Sequence, residues 1–252
     1  MEALHNKTVL VTGATRRIGR AIARALADAG SGVIAHFHGS EREAQELRQD
    51  LLARGGQCWL VRADLERSND LESLIEQSCA AAGRPIDALI NNAAIFPTDS
   101  LASVSLESIV RCLAVNAWAP LVLCRAFAKQ TPRGHVINLL DEKIVGYRFS
   151  HVAYQASKQV LALLTRMLAI DLAPGIVVNA IAPGLILPPP GQDESWLERE
   201  ARASVPLARP GKPEDIAEAA LFLLSSGYLT GQIVYVDGGG HLLEPADGSY
   251  SH

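Results

Sequence analysis

Short apolar runs alternate with longer segments of helical period along nearly the whole chain, and this alternation constrains the fold more than any other feature. Thr8–Thr12, Val33–His36, Cys58–Val61, Ala88–Ile90, His135–Leu140, Ile176–Ile181 and Gln232–Val236 read as strands. Helices are expected over Ile18–Ala29, Glu41–Arg54, Leu71–Ala82, Leu106–Lys129, Tyr154–Leu172 and Pro213–Ser225, the last with proline and acids in its first turn. Strands separated by helices pair in parallel through right-handed crossovers. The expected architecture is α/β and doubly wound, with a central parallel sheet of about seven strands flanked by helices. At 252 residues and 48% apolar types there is material for one such core. No repeat or linker divides the chain, so residues 1–252 are read as a single domain. Leu185–Ser204, with its Pro188-Pro189-Pro190-Gly191 run, breaks the pattern and is expected to form a flap; His241–His252 reads as a polar tail.

Charge and cysteines narrow the partners. Twenty-three basic against 27 acidic residues leave a net charge of −4, which argues against gripping a nucleic-acid backbone. Cys58, Cys79, Cys112 and Cys124 lack the short paired spacings of metal or redox motifs, and a reducing cytoplasm suits them. The N-terminal residues carry no basic region followed by a cleavage site. The apolar run Cys112–Cys124 is interrupted by Asn116 and Pro120 and is too short to span a bilayer. A cytoplasmic protein with a small-molecule partner is expected.

Thr12-Gly13-Ala14-Thr15-Arg16-Arg17-Ile18-Gly19 follows the first strand and opens the first helix. Backbone N–H groups and the helix dipole converge there, which is where a dinucleotide pyrophosphate docks in a Rossmann-type fold. Arg16 and Arg17 stand at a helix start, where a cation is disfavoured unless an anion binds beside it. After the second strand, His36-Phe37-His38-Gly39-Ser40 lacks the acid that would hold a ribose diol. His36, His38, Ser40 and Arg16 suit a 2′-phosphate instead, so NADPH is expected over NADH. Two histidines without further ligands seldom hold a metal, and none is expected.

Tyr154 and Lys158 are four apart on a helix and therefore share one face. An ammonium beside a phenol stabilises phenolate and makes the tyrosine a usable acid at neutral pH.

Taken with the glycine loop, these residues carry a resemblance over essentially the whole chain to the short-chain dehydrogenase/reductase family. The further marks are Asp64-Leu65, Asn91-Asn92-Ala93, Asn116, Pro183-Gly184 and Val236-Asp237-Gly238-Gly239. The resemblance implies that Gly13, Arg16, Arg17, Ile18 and Gly19 hold the pyrophosphate region. It further implies Asp64 and Leu65 at the adenine and Asn91 and Ala93 at the adjoining ribose. Lys158 would bind the nicotinamide ribose, Pro183 and Gly184 would lie against the nicotinamide, and Asn116 would hold a water linking Lys158 to solvent.

Two departures narrow the substrate. Arg17 stands where the family's loop has a second glycine, and Asp141 stands thirteen residues before Tyr154, where the family has a serine. A carboxylate is a poor partner for an electron-rich ketone oxygen but accepts hydrogen bonds from ring N–H or amino groups. Both departures resemble the pteridine reductase subgroup, as does Asn91–Thr98, in which Phe96 matches the aromatic residue that stacks the pterin. Gly39 differs from the basic residue of some members. The resemblance implies hydride transfer to a dihydropterin of biopterin, monapterin or folate type. Arg17, Phe96, Asp141 and Tyr154 would meet the substrate, with Asp141, Tyr154, Lys158 and Asn116 in the catalytic set. The alternatives are a carbonyl reductase acting on a small ketone or sugar, and a nucleotide-sensing protein without turnover; intact Tyr154, Lys158 and Asn116 argue against the latter. The family resemblance implies a homotetramer, and apolar residues on more than one face of the Leu106–Lys129 and Tyr154–Leu172 helices are what packing across a subunit interface requires.

Overall fold

The structure is a computed structural model and describes residues 4–147, 149–189 and 191–243. Seven strands form one sheet, all parallel: β1 (Thr8–Val11), β2 (Gly32–Phe37), β3 (Gln57–Arg62), β4 (Ala88–Asn91), β5 (Gly134–Leu139), β6 (Ile176–Pro183) and β7 (Ile233–Val236). Their order is β3-β2-β1-β4-β5-β6-β7, so the winding reverses between β1 and β4. A crevice opens at such a switch point, outside the carboxyl ends of the strands.

The helices are α1 (Arg17–Asp28), α2 (Glu41–Ala53), α3 (Ser68–Ala82), α4 (Leu106–Leu113), α5 (Ala119–Gln130), α6 (Val152–Asp171), α7 (Glu194–Ser204) and α8 (Pro213–Ser225). They cover both faces of the sheet, which is why the strands read as continuous apolar runs. Alternate residues of β1 show the two layers. Val9 and Val11 join Ile22 and Leu26 of α1 and Ile216 and Leu223 of α8, whereas Leu10 joins Leu74 of α3 and Leu123 and Phe127 of α5. At the start of α8 the Asp215 carboxylate accepts from the Lys212 N–H at 2.7 Å, with Pro213 in the first turn.

Two expectations change. The long helix expected over Leu106–Lys129 is α4 and α5 joined by a π turn over Ala114–Trp118, and that turn carries Asn116. The whole stretch Leu106–Gln130 is, by length and composition alone, apolar enough to cross a membrane, unlike the shorter run read from sequence. Here Val115, Ala119, Leu123, Cys124 and Phe127 from it are spent on the core beneath the sheet. The flap segment is not irregular throughout: α7 occupies its second half, capped by Asp193, whose carboxylate accepts from the Trp196 N–H at 2.9 Å. Of the expected tail, Gly240–Leu242 forms a 3-10 turn, and residues 244–252 lie outside the described residues.

Candidate active site

The phosphate loop is held from behind. Gly13 adopts φ +62°, and a Cβ on Gly19 would stand 2.3 Å from the Gly13 carbonyl oxygen, so neither position tolerates a side chain. Asn92 donates through Nδ2 to the carbonyls of Thr12 (2.9 Å) and Gly13 (3.1 Å), and the Thr12 hydroxyl accepts from the N–H groups of Asn92 and Ala93. The first-turn N–H groups of α1 have no intrahelical acceptor and face the crevice. Those features fit a pyrophosphate.

His36 corrects an expectation. It is buried, with Nδ1 accepting from the Gly13 N–H and Nε2–H donating to the Ala63 carbonyl, each at 3.2 Å. With both nitrogens engaged it braces the loop and does not present a donor to a 2′-phosphate. Burial pushes its pKa down to about 4, so it stays neutral. His38 is exposed, 3.7 Å from Asp64, and Ser40 Oγ lies 2.7 Å from Thr15 Oγ1. Arg16 is paired with Glu43, so it must exchange partners to hold a phosphate. Asp64 accepts from the Glu66 N–H, and Leu65 is buried beside it at the β3 end.

Asn91 is a second correction. Its side chain points into the core, donating to Asn138 Oδ1 at 2.9 Å, and Asn138 in turn donates to Thr165 of α6. The neighbour Asn92, one residue on and therefore on the opposite side, is the one that meets the loop. The motif Asn91-Asn92-Ala93 carries no local signal that separates their directions.

Across the crevice, α6 carries Tyr154 and Lys158 on one face, with Lys158 Nζ 5.5 Å from the centre of the Tyr154 ring. Lys158 is buried and donates to the Leu139 carbonyl at 2.5 Å. Burial lowers its pKa to about 8, against the raising influence of Asp141. Asn116 engages both amide N–H bonds: Nδ2 donates to the Ile95 carbonyl and to Ser157 Oγ, while Oδ1 accepts from the Ile95 N–H. Its side chain therefore ties the loop after β4 at Ile95 to α6, with both N–H bonds spent and one Oδ1 lone pair left to accept from the expected water. Ser157, not singled out from sequence, links Asn116 to the Tyr154 carbonyl at 2.6 Å.

Asp141 follows β5 and accepts from the Lys143 N–H at 2.9 Å while lining the crevice. Glu142 beside it is buried with Oε2 unpartnered, and burial followed by the nearby Asp141 and Asp237 raises its pKa, against Lys143. Phe96 is not a core aromatic. It is partly exposed, stacks on His151 and meets Tyr154 edge-on. Arg17 adopts φ +52° and donates to the Pro188 carbonyl of the flap at 3.2 Å. The crevice has a volume of about 730 Å³; Gly13, Arg16, Arg17, Ile18, Gly19, Ala93, Phe96, Asp141, Tyr154, Lys158, Pro183 and Gly184 all line it. Trp196 and Glu200 of α7 close its far side, two residues that the irregular flap pattern gave no signal to select.

A glycine loop at the switch point of a doubly wound sheet, facing a Tyr–Lys pair, defines the class of dinucleotide-dependent oxidoreductases. Residues 13–241 match the family model described as enoyl-(acyl carrier protein) reductase. The chain is 34% identical to 3beta-hydroxysteroid dehydrogenase 1 of Eggerthella lenta, covering 94% of each protein. It is 32% identical to 3-oxoacyl-[acyl-carrier-protein] reductase of Synechocystis, over 95% of this chain and 98% of that protein. The crystal structure of FolM alternative dihydrofolate reductase 1 from Brucella suis in complex with NADP superposes with a TM-score of 0.91 at 34% identity, covering 98% of this chain and 99% of that one. The chain belongs to the short-chain dehydrogenase/reductase family and is an NAD(P)-dependent oxidoreductase.

Proposed function

We propose that the protein is an NADPH-dependent pteridine reductase. The observation that carries this reading is Asp141, a carboxylate in the same crevice as Tyr154, Lys158 and the partly exposed ring of Phe96. A carboxylate repels a ketone oxygen but accepts from the N–H and amino groups of a pterin. The 34% identity to a FolM structure holding NADP supports the same reading.

The crevice accommodates the cofactor: the Gly13–Gly19 loop and the α1 N-terminus would hold its pyrophosphate, Lys158 its nicotinamide ribose, and Pro183-Gly184 its nicotinamide. When bound, NADPH supplies a hydride to C6 of a 7,8-dihydropterin. Tyr154 delivers a proton to N5, so the C6=N5 bond becomes C6–H and N5–H. Lys158, charged below its lowered pKa, favours the phenolate left behind. Asp141 accepts from the pterin ring and orients it, and Arg17 reaches both cofactor phosphate and substrate.

The outer face of α6 supports a homotetramer. Val160, Leu163, Met167 and Ile170 repeat at three- and four-residue intervals and are exposed, while Leu161, Thr165 and Leu168 point inward. Light scattering giving a monomer mass at micromolar protein would refute it.

The substrate reading is tested by kcat/KM for 7,8-dihydrobiopterin and for a reactive diketone in the wild type, Asp141→Asn and Asp141→Ser. Loss of a hydrogen bond to a charged acceptor costs roughly 1.5–3 kcal/mol. Asp141→Asn is therefore expected to lose about ten- to a hundredfold in pterin reduction with unchanged NADPH affinity, and Asp141→Ser to gain weak diketone reduction. Pterin reduction left intact by Asp141→Asn, or diketone reduction by the wild type exceeding pterin reduction, sinks the reading.

A further inference from the structure

His151 stands three residues before Tyr154, at the N-cap of α6, and nothing in the sequence marks it. Its backbone is left-handed, φ +58°. Among the described residues only Asn6, Arg17, His151 and Ala208 are non-glycine residues at positive φ, and Arg17 and His151 both line the crevice. Such a conformation costs free energy and persists where surrounding contacts enforce it, often at a functional site.

Three contacts enforce this one. The His151 N–H donates to the Asp99 carbonyl at 2.8 Å. Its ring Nδ1 lies 2.7 Å from the Pro97 carbonyl oxygen, which can only accept, so Nδ1 carries the hydrogen. The ring itself stacks on Phe96, with centroids 3.8 Å apart and planes 18° from parallel. The segment Phe96–Asp99 is thereby clamped to the start of the helix that carries Tyr154. Asp99 adds to the clamp by accepting from the Ala153 N–H at 3.3 Å and the Ser108 hydroxyl at 3.0 Å.

The consequence is an angle. The Phe96 and Tyr154 rings are 84° apart, with centroids separated by 4.5 Å. A planar substrate held parallel to Phe96 therefore lies nearly perpendicular to the Tyr154 ring. Reduction of a ring C=N bond needs this division. The hydride adds to carbon through the face of the π system, whereas the proton goes to the nitrogen lone pair, which lies in the ring plane. Both directions are set by the plane of Phe96.

We propose that His151 is a positioning residue: it fixes the plane of Phe96 relative to Tyr154 so that a stacked planar heterocycle offers its face for hydride and its edge for the proton. The inference rests on the pterin reading for the identity of that heterocycle but not for the geometry it assigns to Phe96. Asparagine tolerates positive φ and keeps a donor within reach of Pro97, but it removes the ring. Phenylalanine keeps a stacking ring and removes the bond to Pro97.

The test compares the wild type, His151→Asn and His151→Phe by kinetics with 7,8-dihydrobiopterin, by NADPH binding in calorimetry, and by crystal structures with NADPH. For His151→Asn a kcat at least tenfold lower is expected, because the hydride and proton directions depend on the Phe96 plane, with NADPH affinity within twofold and the Phe96 ring displaced. His151→Phe should fall between it and the wild type. An unmoved Phe96 ring in His151→Asn overturns the inference. So does an unchanged kcat, or a loss of NADPH affinity as large as the loss in kcat, which would mark a merely structural residue. If the wild type reduces no pterin, the substrate reading fails, and the Phe96 ring in the variant structures alone decides the role of His151. If His151→Asn does not fold, His151→Gly keeps the backbone angle and removes the ring, and wild-type kcat with an unmoved Phe96 ring in that variant overturns the inference equally.

Discussion

The two sides of the crevice are built on opposite principles. On the phosphate side the buried polar groups are neutral and fully paired: His36 between Gly13 and Ala63, Asn92 on Thr12 and Gly13, the Thr12 hydroxyl on two backbone N–H groups. To meet a cofactor phosphate Arg16 has to leave Glu43 and Arg17 the Pro188 carbonyl. On the chemical side a lysine is buried with a lowered pKa, and a carboxyl oxygen of Glu142 has no partner. Such groups cost stability in the unliganded protein. The difference separates a preformed cradle from a wall that carries the cost of a buried charge.

The largest effect should come from the reactive wall. Tyr154→Phe keeps the ring against Phe96 and removes the acid, so kcat is expected to fall about a thousandfold while NADPH affinity stays put. A variant that retained a tenth of wild-type turnover would move the proton donor elsewhere.

Lys158 tests whether that wall is costly. Its folded-state pKa, about 8, lies below the 10.5 of the unfolded chain. The unfolded state therefore binds more protons between those values, and wild-type stability rises with pH through that window. Below about pH 8 the full cost of the buried charge is present. Lys158→Met should abolish turnover yet stabilise the protein at pH 7 by up to about 3 kcal/mol, an advantage that disappears above pH 10.5. Urea unfolding across pH 7 to 11 measures it, and a variant less stable than wild type at pH 7 would show that the Leu139 contact outweighs burial.

The cradle predicts the reverse coupling. Asn92→Ala removes two bonds to the loop and should lower stability and NADPH binding together, each by about 2 kcal/mol. Loss of stability with cofactor affinity unchanged would mean that the loop is held in shape without Asn92.

The smallest effect concerns cofactor choice. NADPH should bind at least about tenfold more tightly than NADH, about 1.4 kcal/mol, and Arg16→Ala should erase most of that difference. Equal affinities in the wild type, measured by calorimetry, would leave Arg16 as no more than the partner of Glu43.

Local signals in the chain were sufficient for much of this. The alternation of apolar runs and helical segments marks all seven strands because the inner strands are buried on both faces and the edge strands β3 and β7 stay mostly apolar, and the proline and acids of Lys212–Asp215 mark a helix start through contacts three residues apart. Tyr154 and Lys158 share a face by helical period alone. The flap helix α7 is not legible in the sequence because the Pro188-Pro189-Pro190 run dominates the pattern before Asp193 caps the helix.

What the sequence alone determined, then, are the elements, the loop and the Tyr–Lys pair, since their causes lie within a turn or two of chain. Tertiary structure decided which way the side chains at strand ends point and whom they meet. His36 faces Gly13, Asn91 faces Asn138, Asn116 binds Ile95, Arg16 binds Glu43 and His151 lies on Phe96, partners 20 to 55 residues away. Those meetings depend on sheet register, where a shift of one residue turns every side chain to the opposite face. No window of sequence contains both partners, so only the assembled sheet could bring them together.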